Sequence, residues 1–292
     1  MRMCCPATQI ALKFLEQFML VRELRGLMQE VFYSESSRPN DRWFEGHLKQ
    51  GGAPLALAAS WYWIHRMHGR FFAQDYAAAI KATAKANSLL SYTCSFLEVS
   101  EDHFYAALTR AAACDSMPVD QRAQHLEALY SHHRQTAVWA EHFPENFANR
   151  VALVGAEIAR LEGRAVDALH LYEEAIRLTR EHGFVQSEGI AHELAARFYA
   201  ARGFETIAQA YRRNARSCDV CWGTDGKVRQ LDQLHPHLRT AVLACAGWRM
   251  SRQTWTRPAQ RWSALSEMAI GRTRLLVEFV VCCEKLIPSR RG

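Results

Sequence analysis

The chain has 292 residues, 49% hydrophobic and 23% charged, which is the composition of a folded globular protein and not of a low-complexity or disulfide-stapled one. Its net charge of +6 is unevenly placed: Arg239 to Gly292 holds ten Lys or Arg against three Asp or Glu, a net +7, which leaves Met1 to Leu238 at −1. A balanced body argues against a nucleic-acid-binding repeat surface, which would carry a basic stripe.

The N-terminus, MRMCCPATQIALKFLEQF, has no apolar core followed by a small-residue cleavage site, and no run of the chain approaches the roughly 18 apolar residues that cross a bilayer. The expected setting is cytoplasmic, with the nine cysteines reduced. Residues 9–31 predict a first helix, keeping Ile10, Phe14, Phe18, Val21 and Leu24 on one face. Ser34, Ser36, Ser37, Pro39, Asn40 and the pair Gly51-Gly52 then break the chain on either side of a short helix from about Trp43 to Lys49. A long helix follows in LALAASWYWIHRMHGRFFAQ, and a return helix in DYAAAIKATAKANSLL, with Asp75 as its N-cap. SFLEVSEDHFYAALTRAAAC is the next helix. Its partner opens after Pro118 and is closed by Pro144.

From Pro144 to Gly223 the pattern becomes regular. Gly163, Gly183, Gly203 and Gly223 fall at equal intervals of 20. Between them apolar residues recur at helical spacing: Val154, Ile158 and Leu161; Leu169, Tyr172 and Ile176; Ile190, Leu194 and Phe198; Ile207, Tyr211 and Ala215. Each glycine stands where a helix should stop, because glycine takes the left-handed conformation that closes a helix at no steric cost. Placing Gly163 on Gly203 sets Ala168 on Ala208 and Ala175 on Ala215, so small residues recur where helices of a hairpin approach. That is the logic of tetratricopeptide repeats, whose usual period is about 34 residues. The predicted fold is therefore all-α: a tetratricopeptide-like solenoid of antiparallel helix hairpins with a period of about 40, over residues 1–238. Leu231 and Leu234 sit in a closing helix before Pro236. Residues 239–292 form a separate basic, Trp-rich tail containing Trp248, Trp255 and Trp262, open to two readings, a partly helical appendage or a disordered segment.

Long strings of the body resemble one segment of a known family. They are LVRELRGL (20–27), SWYWIHRMHGRFFAQDYAAA (60–79), FYAALTRAA (104–112), HHRQTAVWAEHFPENFANR (132–150), ARLEGRAVDALHLYEEAI (159–176), EHGFVQSEGIAHELAARFYAARGFETIAQAYRRNAR (181–216) and WGTDGKVRQLDQLHPHL (222–238). They are similar to the helical region of very large bacterial signalling proteins. Those proteins join a serine/threonine kinase domain, a predicted P-loop ATPase, a long tetratricopeptide-like region, a sensor and a histidine kinase. The resemblance covers about Phe14 to Leu238 and reaches neither the ATPase before that region nor the sensor and kinase after it. It implies a truncated or frame-disrupted relative, with residues from Arg239 onward outside the family frame.

Candidate chemistry is sparse. His192-Glu193-Leu194 matches three residues of the S-H-E-L-R-T-P phospho-acceptor helix of sensor kinases, but Ala191, Ala195, Ala196 and Arg197 replace its Ser, Arg, Thr and Pro, so His192 reads as a repeat-helix residue. Cys218 and Cys221 have the spacing of half a zinc site or a redox pair; no second pair follows at similar spacing, and His235 and His237 flank a proline. His65 with His68, and His132 with His133, make no H-E-x-x-H pattern. Trp61, Trp63, Phe71 and Phe72 read as core packing, with a peptide groove as the sharper alternative. There is no G-x-x-x-x-G-K-[ST], H-R-D, D-F-G or G-x-S-x-G. No catalytic, cofactor-binding or metal-ligating set is read from the chain. The expected function is that of a non-catalytic scaffold that binds a protein partner, with no specific nucleic acid and no membrane span. The alternatives are an ATP-binding fragment of a serine/threonine or histidine kinase and a stand-alone solenoid adaptor.

Overall fold

The computed structural model describes residues 55–92 and 96–240, with positions 20, 24, 25, 45, 46 and 48 before them. Most of the predicted helices over 9–31 and 43–49, and all of the tail after residue 240, lie outside the described residues. Every described helix belongs to the unit Met1–Ala241.

Among the described residues there are nine α-helices and no strand. They are α1 (Ala56–Phe72), α2 (Tyr76–Asn87), α3 (Phe96–Ala113), α4 (Val119–His142), α5 (Pro144–Leu161), α6 (Ala165–His182), α7 (Val185–Ala200), α8 (Glu205–Trp222) and α9 (Asp225–Leu234). No described helix is long and apolar enough to cross a membrane.

Local chemistry sets most of the boundaries. Asp75 caps α2, its Oδ1 accepting the Ala78 amide at 3.1 Å. Pro118 precedes α4 and Pro144 is the first residue of α5, where the missing N–H costs nothing. The four evenly spaced glycines are all left-handed, with φ of 77°, 75°, 82° and 81°. Each turn closes in the same way. The residue after the glycine donates its amide to the carbonyl five residues back: Arg164 to Ala159 (2.9 Å), Phe184 to Thr179 (2.8 Å), Phe204 to Tyr199 (3.0 Å) and Thr224 to Asp219 (3.0 Å). The carbonyl of that residue then accepts the amide of the fourth residue of the next helix, from Ala168, Glu188, Ala208 and Val228 in turn.

Sequential helices pack as neighbours, most extensively α5 on α6 and α7 on α8. Contacts also run from α1 to α3, from α3 to α5 and from α5 to α7, so the odd-numbered helices touch one another as well as their sequential partners. The core follows this layer through Met67, Phe104, Tyr105, Leu153, Val154, Ile190 and Phe198. Of the residues expected on buried helix faces, Ile207 is 42% exposed instead. It lies in the first turn of α8, where the neighbouring Ala208 takes the inward position. Leu231 is buried in α9 and Leu234 is exposed.

Ala168 and Ala208, like Ala175 and Ala215, are buried. A leucine at Ala168 or Ala208 has no space to occupy, and each substitution is expected to cost about 1–3 kcal/mol through overpacking. Urea denaturation of Ala168→Leu and Ala208→Leu checks this. Unchanged midpoints would mean that these alanines do not set the helix spacing.

Candidate functional site

The densest polar arrangement lies where the α1–α2 junction meets α7 and α9. Glu193, on α7, is its centre. Its carboxylate accepts Lys227 Nζ at 2.9 and 3.2 Å, Arg197 Nη2 at 2.7 Å and Gln74 Nε2 at 2.9 Å. Lys227 also donates to the Phe72 carbonyl (3.3 Å) and to Gln230 Oε1 (3.0 Å), and Arg197 Nη1 donates to the Tyr76 hydroxyl (2.6 Å). Gln74 is the one described non-glycine residue in the left-handed region, at φ 64°. That backbone is strained by about 1–2 kcal/mol, and the hydrogen bond to Glu193 helps to hold it.

Burial alone would raise the pKa of Glu193 above the usual carboxylate range. The charges of Lys227 and Arg197 outweigh it and hold the group at about 2, so it is ionised at neutral pH. Burial is the main influence on Tyr76 and pushes its phenol upward. Phe71, Phe72, Ile190 and Leu194 wall a crevice beside this network. Its volume of about 10 Å³ admits about one water. The arrangement fastens Phe72–Tyr76 to Glu193–Arg197 and Lys227–Gln230.

The residues singled out by sequence are distributed differently. His192 is buried beside Glu188 and Arg180, so its ring is not presented to a phosphoryl donor. Cys218 is buried and Cys221 exposed; burial pushes the Cys218 thiol far up. His65 and His68 have ring centroids 6.1 Å apart. The His68 ring lies 4.0 Å from that of Tyr105, tilted by 42°, and burial drives its pKa well down. His132 and His133 face different partners: His132 Nδ1 lies 3.2 Å from His103 Nδ1 on α3, and His133 Nε2 lies 3.2 Å from the Val151 carbonyl. Burial, with His103 nearby, lowers His132 to about 3, so this pair is neutral. Trp61, Phe71 and Phe72 are buried, with Phe72 5.6 Å from Trp222, and Lys85 Nζ stands 3.7 Å over the half-buried Trp63. Trp61, Phe71 and Phe72 belong to the packed interior, and Trp63 packs against it.

Three groupings were not read from the sequence: the Glu193 network, the Glu188–His192–Cys218 cluster, and buried Asp102 on α3. The spacings of four residues in Glu193–Arg197 and Glu188–His192 were the usable signals. No known protein family, no curated protein and no solved structure matches the chain.

Proposed function

We propose that this chain is a non-catalytic helical-repeat scaffold, a tetratricopeptide-like solenoid that presents a surface to a protein partner in the cytoplasm, as the helical region of the multidomain kinases it resembles would do. The observation that carries the reading is the repetition of one turn. Four left-handed glycines at intervals of 20 close four helices with the same hydrogen bonds, and buried alanines recur 40 residues apart at the seams. Repetition of a single unit builds an extended surface, and such surfaces serve recognition. Val166 in the first turn of α6 and Phe204 and Ile207 at the start of α8 supply exposed apolar side chains on equivalent turns of two hairpins. Exposed apolar groups that form a contiguous patch mark contact surfaces.

The test has two arms. Incubated with labelled ATP and Mg²⁺, the purified chain is expected to label neither itself nor a generic kinase substrate; phosphotransfer would replace the scaffold reading with the kinase-fragment one. In cells, proximity labelling by the tagged chain should mark a reproducible protein set. Val166→Ser/Phe204→Ser/Ile207→Ser should lose that set while keeping its helical circular dichroism. Retention of the same set would remove this edge as the contact surface.

A further inference from the structure

Between α6, α7 and α8 lies a second buried cluster that the Glu193 fastening does not use. Glu188 and His192 are one turn apart on α7 and both are buried, the spacing at which two donors on a helix share an ion. Cys218 comes from α8. Gly189 allows its approach, since a Cβ there would stand 3.3 Å from the Cys218 Cβ. One donor atom from each of the three residues lies within 4.8 Å of the others. Tetrahedral zinc, with bonds of roughly 2.0–2.3 Å, sets its donors about 3.3–3.7 Å apart, so small side-chain rotations close the set.

Two atoms at this place point to a ligand. Glu188 Oε1 is taken by Arg180, through Nε at 3.0 Å and Nη2 at 2.8 Å, while Oε2 has no hydrogen-bond partner. On His192, Nε2 lies 3.5 Å from both Arg180 Nη2 and Glu188 Oε1, while Nδ1 has no partner. Buried polar atoms are rarely left unsatisfied without a reason. Here one oxygen of the carboxylate is oriented by an arginine and the other is left over, as in metal ligands held by an outer hydrogen bond. Arg180 is itself more than half exposed, so its charge can stay in solvent when a second cation enters.

We propose that Glu188, His192 and Cys218 form a binding site for a divalent transition-metal ion of the zinc type. The donors decide the class. Thiolate and imidazole favour zinc and its neighbours over magnesium or calcium, which take oxygen ligands. One thiolate and one carboxylate also supply two negative charges to a 2+ ion. Binding releases the Cys218 thiol proton to solvent, and the metal–sulfur bond replaces the S–H bond. Three protein donors leave a fourth position for water. The ion would join α7 to α8.

The experiment is titration of the full chain, stripped with a chelator, with Co²⁺ followed by Zn²⁺. The expected result is a thiolate-to-cobalt charge-transfer band with tetrahedral visible bands, lost on adding Zn²⁺, and a melting temperature that rises with Zn²⁺. Cys218→Ser should abolish the charge-transfer band, and His192→Gln or Glu188→Gln should weaken binding at least tenfold. Cys221→Ser should bind as the parent does. Circular dichroism confirms that each variant is folded. If Cys218→Ser fails to fold, the two α7 variants and the melting shift of the parent carry the test. Absence of uptake by the parent overturns the proposal, as does uptake unchanged in the α7 variants. Loss in Cys221→Ser with retention in His192→Gln also overturns it, in favour of a cysteine pair.

Discussion

Glu193→Ala is expected to lower the free energy of unfolding by about 3–5 kcal/mol, the cost of breaking a buried ion pair by removing one partner. The loss does not come from one contact. Without the carboxylate, Lys227, whose side chain is only 5% exposed, keeps a charge in the interior with just the Phe72 carbonyl and Gln230 as neutral acceptors. Arg197 is 40% exposed and can turn its guanidinium outward, so the stranded lysine dominates. Gln74 also loses the acceptor that helps to hold its left-handed backbone. Glu193→Leu combined with Lys227→Met removes both charges together and should recover most of the loss, since an apolar pair of similar volume avoids the desolvation cost. Urea titration of the three proteins decides the matter. A loss below about 1 kcal/mol for Glu193→Ala, or a double variant as weak as the single one, would show that the network does not fasten α1–α2 to α7–α9.

The same network gives a pH signature. The Glu193 pKa falls from 4.5 to about 2 on folding. A depressed folded value contributes stability that is complete above the unfolded pKa and is lost as pH drops through the folded one. The contribution is about 3 kcal/mol, and it should disappear between roughly pH 4.5 and pH 2. In Glu193→Ala that acid-dependent loss should be correspondingly smaller.

The legibility of these features in the sequence depends on the distance along the chain between the groups involved. Turn positions were legible because the cause is local: Gly163, Gly183, Gly203 and Gly223 take a conformation that other residues resist, and Asp75 caps from within its own turn. Buried alanines were legible because they repeat. Ile207 was misplaced because a spacing of four from Tyr211 could not reveal that Ala208 would turn inward. The polar groupings were illegible for a different reason. Reading by spacing pairs His132 with His133, but adjacent residues on a helix point in different directions, and so need not share a partner; Cys218 and Cys221, three residues apart, differ in burial. The partners actually used are remote: His103 is 29 residues from His132, and Gln74 is 119 from Glu193. Such contacts are set by which helices stack, and the local pattern does not carry that information.

Asp102→Asn is expected to stabilise the protein at alkaline pH and to do little in acid. Asp102 is fully buried on α3, and neither of its carboxylate oxygens has a hydrogen-bond partner. Burial lifts its pKa from 3.8 to about 7, and the attraction of Arg110 offsets only part of that rise. The folded state therefore holds a proton that the unfolded chain releases once pH passes 3.8. In that interval the folded state binds more protons than the unfolded one, so stability falls as pH rises. The penalty is absent below about pH 3.8, grows to about pH 7, and is constant above it. Its ceiling is about 4 kcal/mol, from a shift of roughly three units. Asparagine copies the shape of the protonated acid and has no proton to lose. At pH 8 it should remove the penalty, less the attraction that Arg110 loses; at pH 4 it should match the parent closely. Urea titrations at pH 4, 6 and 8 should thus show a gain that opens with rising pH. A gain that is flat with pH would assign the effect to packing. A loss at pH 8 would mean that Asp102 is ionised in the folded protein and that its pairing with Arg110 outweighs its desolvation.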